Sequence, residues 1–120
     1  MKENIILKKT FDFSVEISNL VVLLRRKRET IISNQLLRSA TSIGANVHEA
    51  SAAMTKKDFI LKMSIASKEA RESAYWLRLL NTSKIVELDF SSYINANDEI
   101  IKILTAILKT AQTNLSSKNN

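Results

Sequence analysis

The chain has 120 residues, 45% of them hydrophobic and 25% charged, with a formal net charge of +6 and a pI near 9.7. That length makes one domain, 1–120, able to bury a sizeable core. There is no cysteine, which excludes disulfides, thiolate nucleophiles and cysteine-based zinc sites.

Proline is absent and glycine occurs once. Tight turns, hairpins and barrel corners need those residues, so the composition predicts an all-α fold of long helices with few connections. No apolar run reaches the length that spans a bilayer. The N-terminal MKENIILKKTFDF carries acidic residues and no apolar core followed by a small-residue cleavage site, so it does not read as a secretory signal. A cytoplasmic protein is expected. The positive charge suits either an anionic partner such as RNA or DNA, or plain solubility.

In chain order, Ile5, Ile6 and Leu7 stand together near the start, as the opening of the first helix or as a segment tucked against a neighbour. Phe13, Ile17, Leu20, Val21 and Leu24 then recur at helical spacing up to about Arg26. Phe11, Val15, Ser18 and Val22 make an adjoining line, so the apolar face is broad enough for contacts on two sides. Arg25, Arg26, Lys27 and Arg28 close this helix. Cations at a helix C-terminus gain about 0.3–1 kcal/mol each from the macrodipole. Four in a row exceed what capping needs, and a phosphate-contacting patch is the sharper alternative. A connection of roughly Lys27 to Thr30 makes the first two helices antiparallel neighbours.

The second helix, which ends near Ala53, is built on SNQLLRSATSIGANVHEA from Ser33 to Ala50, a stretch that departs from ordinary amphipathic composition. Ile32, Leu36, Ala40, Ile43, Val47, Ala50 and Met54 form its apolar stripe. Gln35, Arg38, Ser42, Asn46 and Glu49 line one flank, as an ordinary wet surface or as a buried or interfacial polar network. Gly44 in mid-helix costs about 1 kcal/mol relative to Ala. Close approach of another helix is the expected compensation.

Thr55 and Asp58 form a weak capping box before a third helix over about Lys56–Asn81. Phe59, Met63, Ala66, Ala70, Ala74 and Leu77 make one stripe there, and Leu61, Ile65, Lys68, Glu72, Tyr75 and Leu79 another. Lys62, Lys68, Arg71 and Arg78 are either phosphate contacts or a solvated face. Trp76 can stack on a base, but packing with its N–H satisfied is the commoner use. After a linker over 82–89, Asp89 is placed to cap a fourth helix over about Phe90–Leu115, followed by a polar, disordered tail at about 116–120. Tyr93, Asn97, Ile100, Leu104, Ile107 and Ala111 share one face of that helix.

No glycine-rich loop exists to cradle phosphates, and the single histidine, His48, has no companion at metal-ligand spacing. No enzyme, no metal and no cofactor are expected.

Across ISNQLLRSATSIGANVHEA and KKDFILKMSIASKEARESAYWLRLL, the chain resembles the four-helix-bundle family of 23S ribosomal RNA intervening-sequence proteins. Gln35, Arg38, Ser42, Gly44-Ala45-Asn46, Glu49-Ala50 and Asp58-Phe59 carry the likeness in combination, with weaker similarity in the first and fourth helices. It is also similar to the accessory variability determinant proteins of diversity-generating retroelements. The resemblance implies an antiparallel up-down-up-down four-helix bundle without established enzymatic activity. It implies a homo-oligomer, pentameric among relatives. The similar protein implies nucleic acid and a nucleic-acid enzyme, reverse transcriptase, as partners. The combined expectation is a homo-oligomeric scaffold that binds RNA or DNA with little sequence specificity through Arg25, Arg26, Lys27, Arg28, Lys62, Lys68 and Arg71. Gln35, Arg38, Asn46 and Glu49 are assigned to a structural polar network. The competing expectation is a protein-interaction module whose charge serves solubility.

Overall fold

A computed structural model describes residues 2–119, with side chains placed from Ile5 to Ser116. Four helices account for nearly all of it: α1 (Lys2–Arg26), α2 (Ile31–Ser51), α3 (Lys56–Ser83) and α4 (Ser91–Asn119). The described residues contain no strand. The first helix therefore begins ahead of the Ile5–Leu7 cluster, and α4 runs through the polar segment expected to form a tail as far as Asn119. Asn120 lies outside the described residues.

Pairs across the helix seams fix the directions. Arg25 of α1 meets Asn34 of α2, whereas Ser14 meets Ala40. Arg38 of α2 meets Glu69 of α3, whereas Glu49 meets Lys62. Arg78 of α3 meets Asp98 of α4, whereas Arg71 shares a cleft with Lys109. Position rises along one helix as it falls along the next, so the bundle is antiparallel, up-down-up-down. Lys9 of α1 reaches Glu99 of α4 at 2.7 Å and closes the ring. The result is a rod of 54 × 23 × 23 Å with α1 and α3 on diagonal corners.

Most of the core comes from the stripes read from the sequence, joined by Ile6, Leu80, Val86 and Phe90, which lie outside them. Phe13, Ile17, Leu20 and Leu24 of α1 meet Leu36, Ala40, Ile43 and Val47 of α2, Met63, Ala66, Ala70 and Leu77 of α3, and Ile100 and Leu104 of α4, all buried. Met54 belongs to the α2–α3 connection rather than to the α2 stripe and is 94% exposed. The adjoining line of α1 is also open: Phe11 is 67%, Val15 46% and Val22 48% exposed. The chain itself thus covers only one of the two sides that the breadth of this face suggests.

Gly44 packs directly against the backbone of α1. A Cβ there would stand 3.2 Å from Ser14 Oγ and 3.3 Å from the Thr10 carbonyl oxygen, so the close approach expected from a mid-helix glycine is present. Polar groups also enter the core. Ser39 and Ser73 hydroxyls lie 2.8 Å apart, and Asn97 Nδ2 donates to the Ala70 carbonyl at 2.9 Å.

Candidate nucleic-acid interface

The basic run spans the last turn of α1, with Arg25 and Arg26, and the turn into α2, with Lys27 and Arg28. Arg28 adopts φ 67°, in the left-handed region. The Arg28 N–H donates to the Arg25 carbonyl at 3.0 Å and the Glu29 N–H to the Leu24 carbonyl at 2.9 Å. These two bonds make a Schellman ending, which glycine usually occupies because a Cβ in this conformation costs about 1–2 kcal/mol. The Glu29 carboxylate then folds back onto α2, accepting from the Ile32 and Ser33 N–H groups at 2.9 and 2.7 Å. An anion at a helix N-terminus satisfies orphan donors and complements the dipole. Glu29 is buried in that role, and its charge is directed into the turn rather than against the arginines.

Arg25, Arg26, Lys27 and Arg28 are all exposed. Arg25 Nη2 donates to Asn34 Oδ1 at 2.7 Å. None of the four has a carboxylate partner among the described residues. Lys84, at the α3–α4 connection on the same end of the rod, is also left-handed, with φ 55°, and exposed. Sequence reading passed over Lys84; its position after a long helix that lacks a glycine to end it is the clue that was available.

The remaining nominated cations sit elsewhere. Lys62 is 3.8 Å from Glu49 on the α2–α3 seam. Lys68 and Arg71 are exposed on α3, on the corner diagonal to α1 and part-way down the rod. Arg71 faces α4 and shares a cleft with Ser67, Thr105 and Lys109. The seven residues therefore do not form one patch: four cluster at one end, one is paired, and two lie on the opposite flank.

The nominated network is a surface junction and not a buried one. Arg38 is exposed. Its guanidinium reaches Gln35 at 3.4 Å and Glu69 at 3.3 Å, and bonds Glu72 directly. Glu72 Oε2 also accepts from Trp76 Nε1 at 2.9 Å, so Trp76 packs with its N–H satisfied. The Tyr75 ring stands edge-on to it, centroids 5.0 Å apart. Asn46 stands outside this junction and donates to the Ser42 carbonyl of its own helix at 2.8 Å. The flank fails to be buried because α2 and α3 meet along Leu36–Ala40–Ile43 and Ala66–Ala70–Ser73, leaving positions one step round each helix in water. Glu69 was not singled out in the sequence, because only the crossing of two helices brings it to Arg38.

His48 lines a shallow groove between α1 and α2 with Leu7, Phe11, Thr41, Gly44 and Ala45. Among the described residues no three His, Asp or Glu side chains converge as a metal site. No helix among them is long and apolar enough to cross a membrane.

No protein of curated function matches the chain. Its fold is shared with the crystal structure of a protein of unknown function from the S23 ribosomal protein family of Bacteroides thetaiotaomicron. That protein is 44% identical, with a TM-score of 0.85 over 91% of this chain and 99% of the other. The family model described as 23S rRNA-intervening sequence protein matches residues 2–106, and the chain belongs to that family.

Proposed function

We propose that this protein is a non-enzymatic, cytoplasmic, homo-oligomeric scaffold that binds RNA or DNA through phosphate contacts, with little sequence specificity. The observation that carries this reading is the exposed, carboxylate-free run Arg25–Arg28 on a turn whose one acidic neighbour, Glu29, is buried as a helix cap. Guanidinium groups match phosphate geometry in bidentate fashion. No glycine-rich cradle or base-reading element accompanies them, so the binding is electrostatic.

Self-association is supported by the uncovered apolar line of α1, Phe11, Val15 and Val22. Repeating the site around an oligomer multiplies its avidity without new contacts. The same exposed line is also what favours the competing reading, a module that binds proteins and uses its charge for solubility.

The test is binding to a labelled structured RNA and to duplex DNA across a salt series, with the mass of the assembly measured in parallel. Replacing Arg25, Arg26, Lys27 and Arg28 together by Gln should reduce the slope of log affinity against log salt by up to about 3 for a single strand. An intact oligomer that binds neither nucleic acid at low salt refutes the reading.

A further inference from the structure

We propose that the cleft between α3 and α4, formed by Ser67, Arg71, Thr105, Lys109, Gln112 and Thr113, seats the phosphodiester backbone of a nucleic-acid strand. This rests on the electrostatic reading above and extends it to a second site on the flank opposite the basic turn.

The four seams of the bundle differ in charge. The α1–α4 seam holds Lys9 among Asp12, Glu16 and Glu99, which would repel a phosphate. The groove of about 380 Å³ between α1 and α2 is mainly apolar and carries only His48 as a titratable group. The α2–α3 junction holds Glu49, Glu69 and Glu72 against Arg38 and Lys62. The upper part of the α3–α4 seam is closed by Arg78 and Asp98 at 3.3 Å. The lower part of that seam, a cleft of about 350 Å³ floored by Leu108, brings an arginine and a lysine together with no carboxylate in its lining. Neither Arg71 nor Lys109 has an acidic partner among the described residues.

The neutral groups suit the same ligand. Ser67 and Thr113 offer hydroxyls, and Gln112 an amide, beside the two cations. Thr105 is committed, its hydroxyl donating to the Ile101 carbonyl at 2.7 Å. Ser67 and Arg71 on α3, and Lys109 and Thr113 on α4, are each four residues apart, so the two groups of each row stand about 6 Å apart along the axis. Two roughly parallel rows of donors fit an extended polyanion lying along the groove.

The test is fluorescence anisotropy of an end-labelled single-stranded RNA of about 20 nucleotides against the full chain, from about 50 to 200 mM salt. Wild type is compared with the double variant Arg71→Gln, Lys109→Gln, with Lys102→Gln as a control on the α1–α4 seam, and with the Arg25–Arg28 variant. The double variant should weaken binding about tenfold at low salt and lower the salt slope by about 1.4, two single-strand contacts, while Lys102→Gln stays within about twofold. An unchanged slope in the double variant, with the turn variant still impaired, overturns the cleft and leaves the turn standing. Absence of RNA binding by wild type overturns both. Displacement of RNA by polyglutamate at equal charge assigns the cleft to acidic proteins and also overturns it. Crosslinking of 4-thiouridine RNA to the unmodified protein gives a readout independent of the variants' folding: adducts within 67–71 or 105–113 support the site, and adducts confined to other segments refute it.

Discussion

Gly44 shows how one residue sets a helix spacing. Its missing side chain lets the Thr10 carbonyl of α1 approach to 3.3 Å of where a Cβ would sit, and close contact offsets the roughly 1 kcal/mol that glycine costs in a helix. Gly44→Val should wedge α1 from α2 and destabilise the fold by about 1–3 kcal/mol, measured by urea unfolding; an unchanged midpoint would mean that the seam has slack. Arg28 is the converse case, a side chain held where glycine is easier. Arg28→Gly should raise stability by about 0.5–1 kcal/mol, read as a higher thermal midpoint, while removing one cation of the turn. Asp89 acts through its charge. Its carboxylate accepts from the Ser91 hydroxyl and from the Ser91 backbone N–H, which holds its pKa below the ordinary aspartate value. A lowered folded pKa means that the unfolded chain takes up the proton first. The stabilisation is therefore complete above the ordinary aspartate range and fades as pH falls through it. Wild type and Asp89→Asn should differ in stability at neutral pH and converge in acid; a gap independent of pH would contradict this account.

At the scale of elements, the seams are held by a few polar groups set into apolar stripes. Ser39 and Ser73 bridge α2 and α3, and Asn97 ties α4 to the Ala70 carbonyl of α3, its own Oδ1 finding no donor among the described residues. An unmatched buried acceptor costs about 1–3 kcal/mol; buried polar side chains can serve to fix register between helices. Asn97→Asp should be more severe, since a carboxylate in the same place is uncompensated, with a loss of about 3 kcal/mol at neutral pH. Burial raises the folded pKa of such a group, so the variant should regain stability as pH falls toward the ordinary aspartate value. Equal loss at every pH would show that the carboxylate escapes to water.

For the whole molecule, the shape sets the function open to it. A rod of 54 × 23 × 23 Å presents long helix faces and the shallow clefts between them. Its cations differ in whether an acid stands beside them. Lys8, Lys9, Arg38, Lys62 and Arg78 are neutralised by nearby acids. The basic turn and the α3–α4 cleft are not, and they face different directions. The apolar line of α1 stands apart from the α3–α4 cleft, since α1 and α3 are diagonal, so self-association through it leaves that cleft open. Phe11→Glu should therefore lower the mass of the assembly, read by light scattering, without abolishing RNA binding by the dissociated chain at low salt. An assembly of unchanged mass would place the contact on another face.

The number of helices, their approximate limits and most of the core follow from the sequence alone. Residues such as Phe13, Ile17, Leu20 and Leu24 recur with the helix period, and no proline interrupts them. Burial of a stripe is a property of one helix and so is legible along one stretch of chain. The end cluster was legible for the same reason, being contiguous. Position across a seam is a property of two helices and depends on their register and crossing. That is why Lys62 turned out beside Glu49, Arg38 beside Glu69 and Glu72, and Arg71 beside Lys109. The sequence by itself determined which faces are apolar and how much charge the surface carries. Only the tertiary structure decided which charges cancel and which remain free to meet a ligand, because that depends on distances of a few ångströms between residues more than ten positions apart.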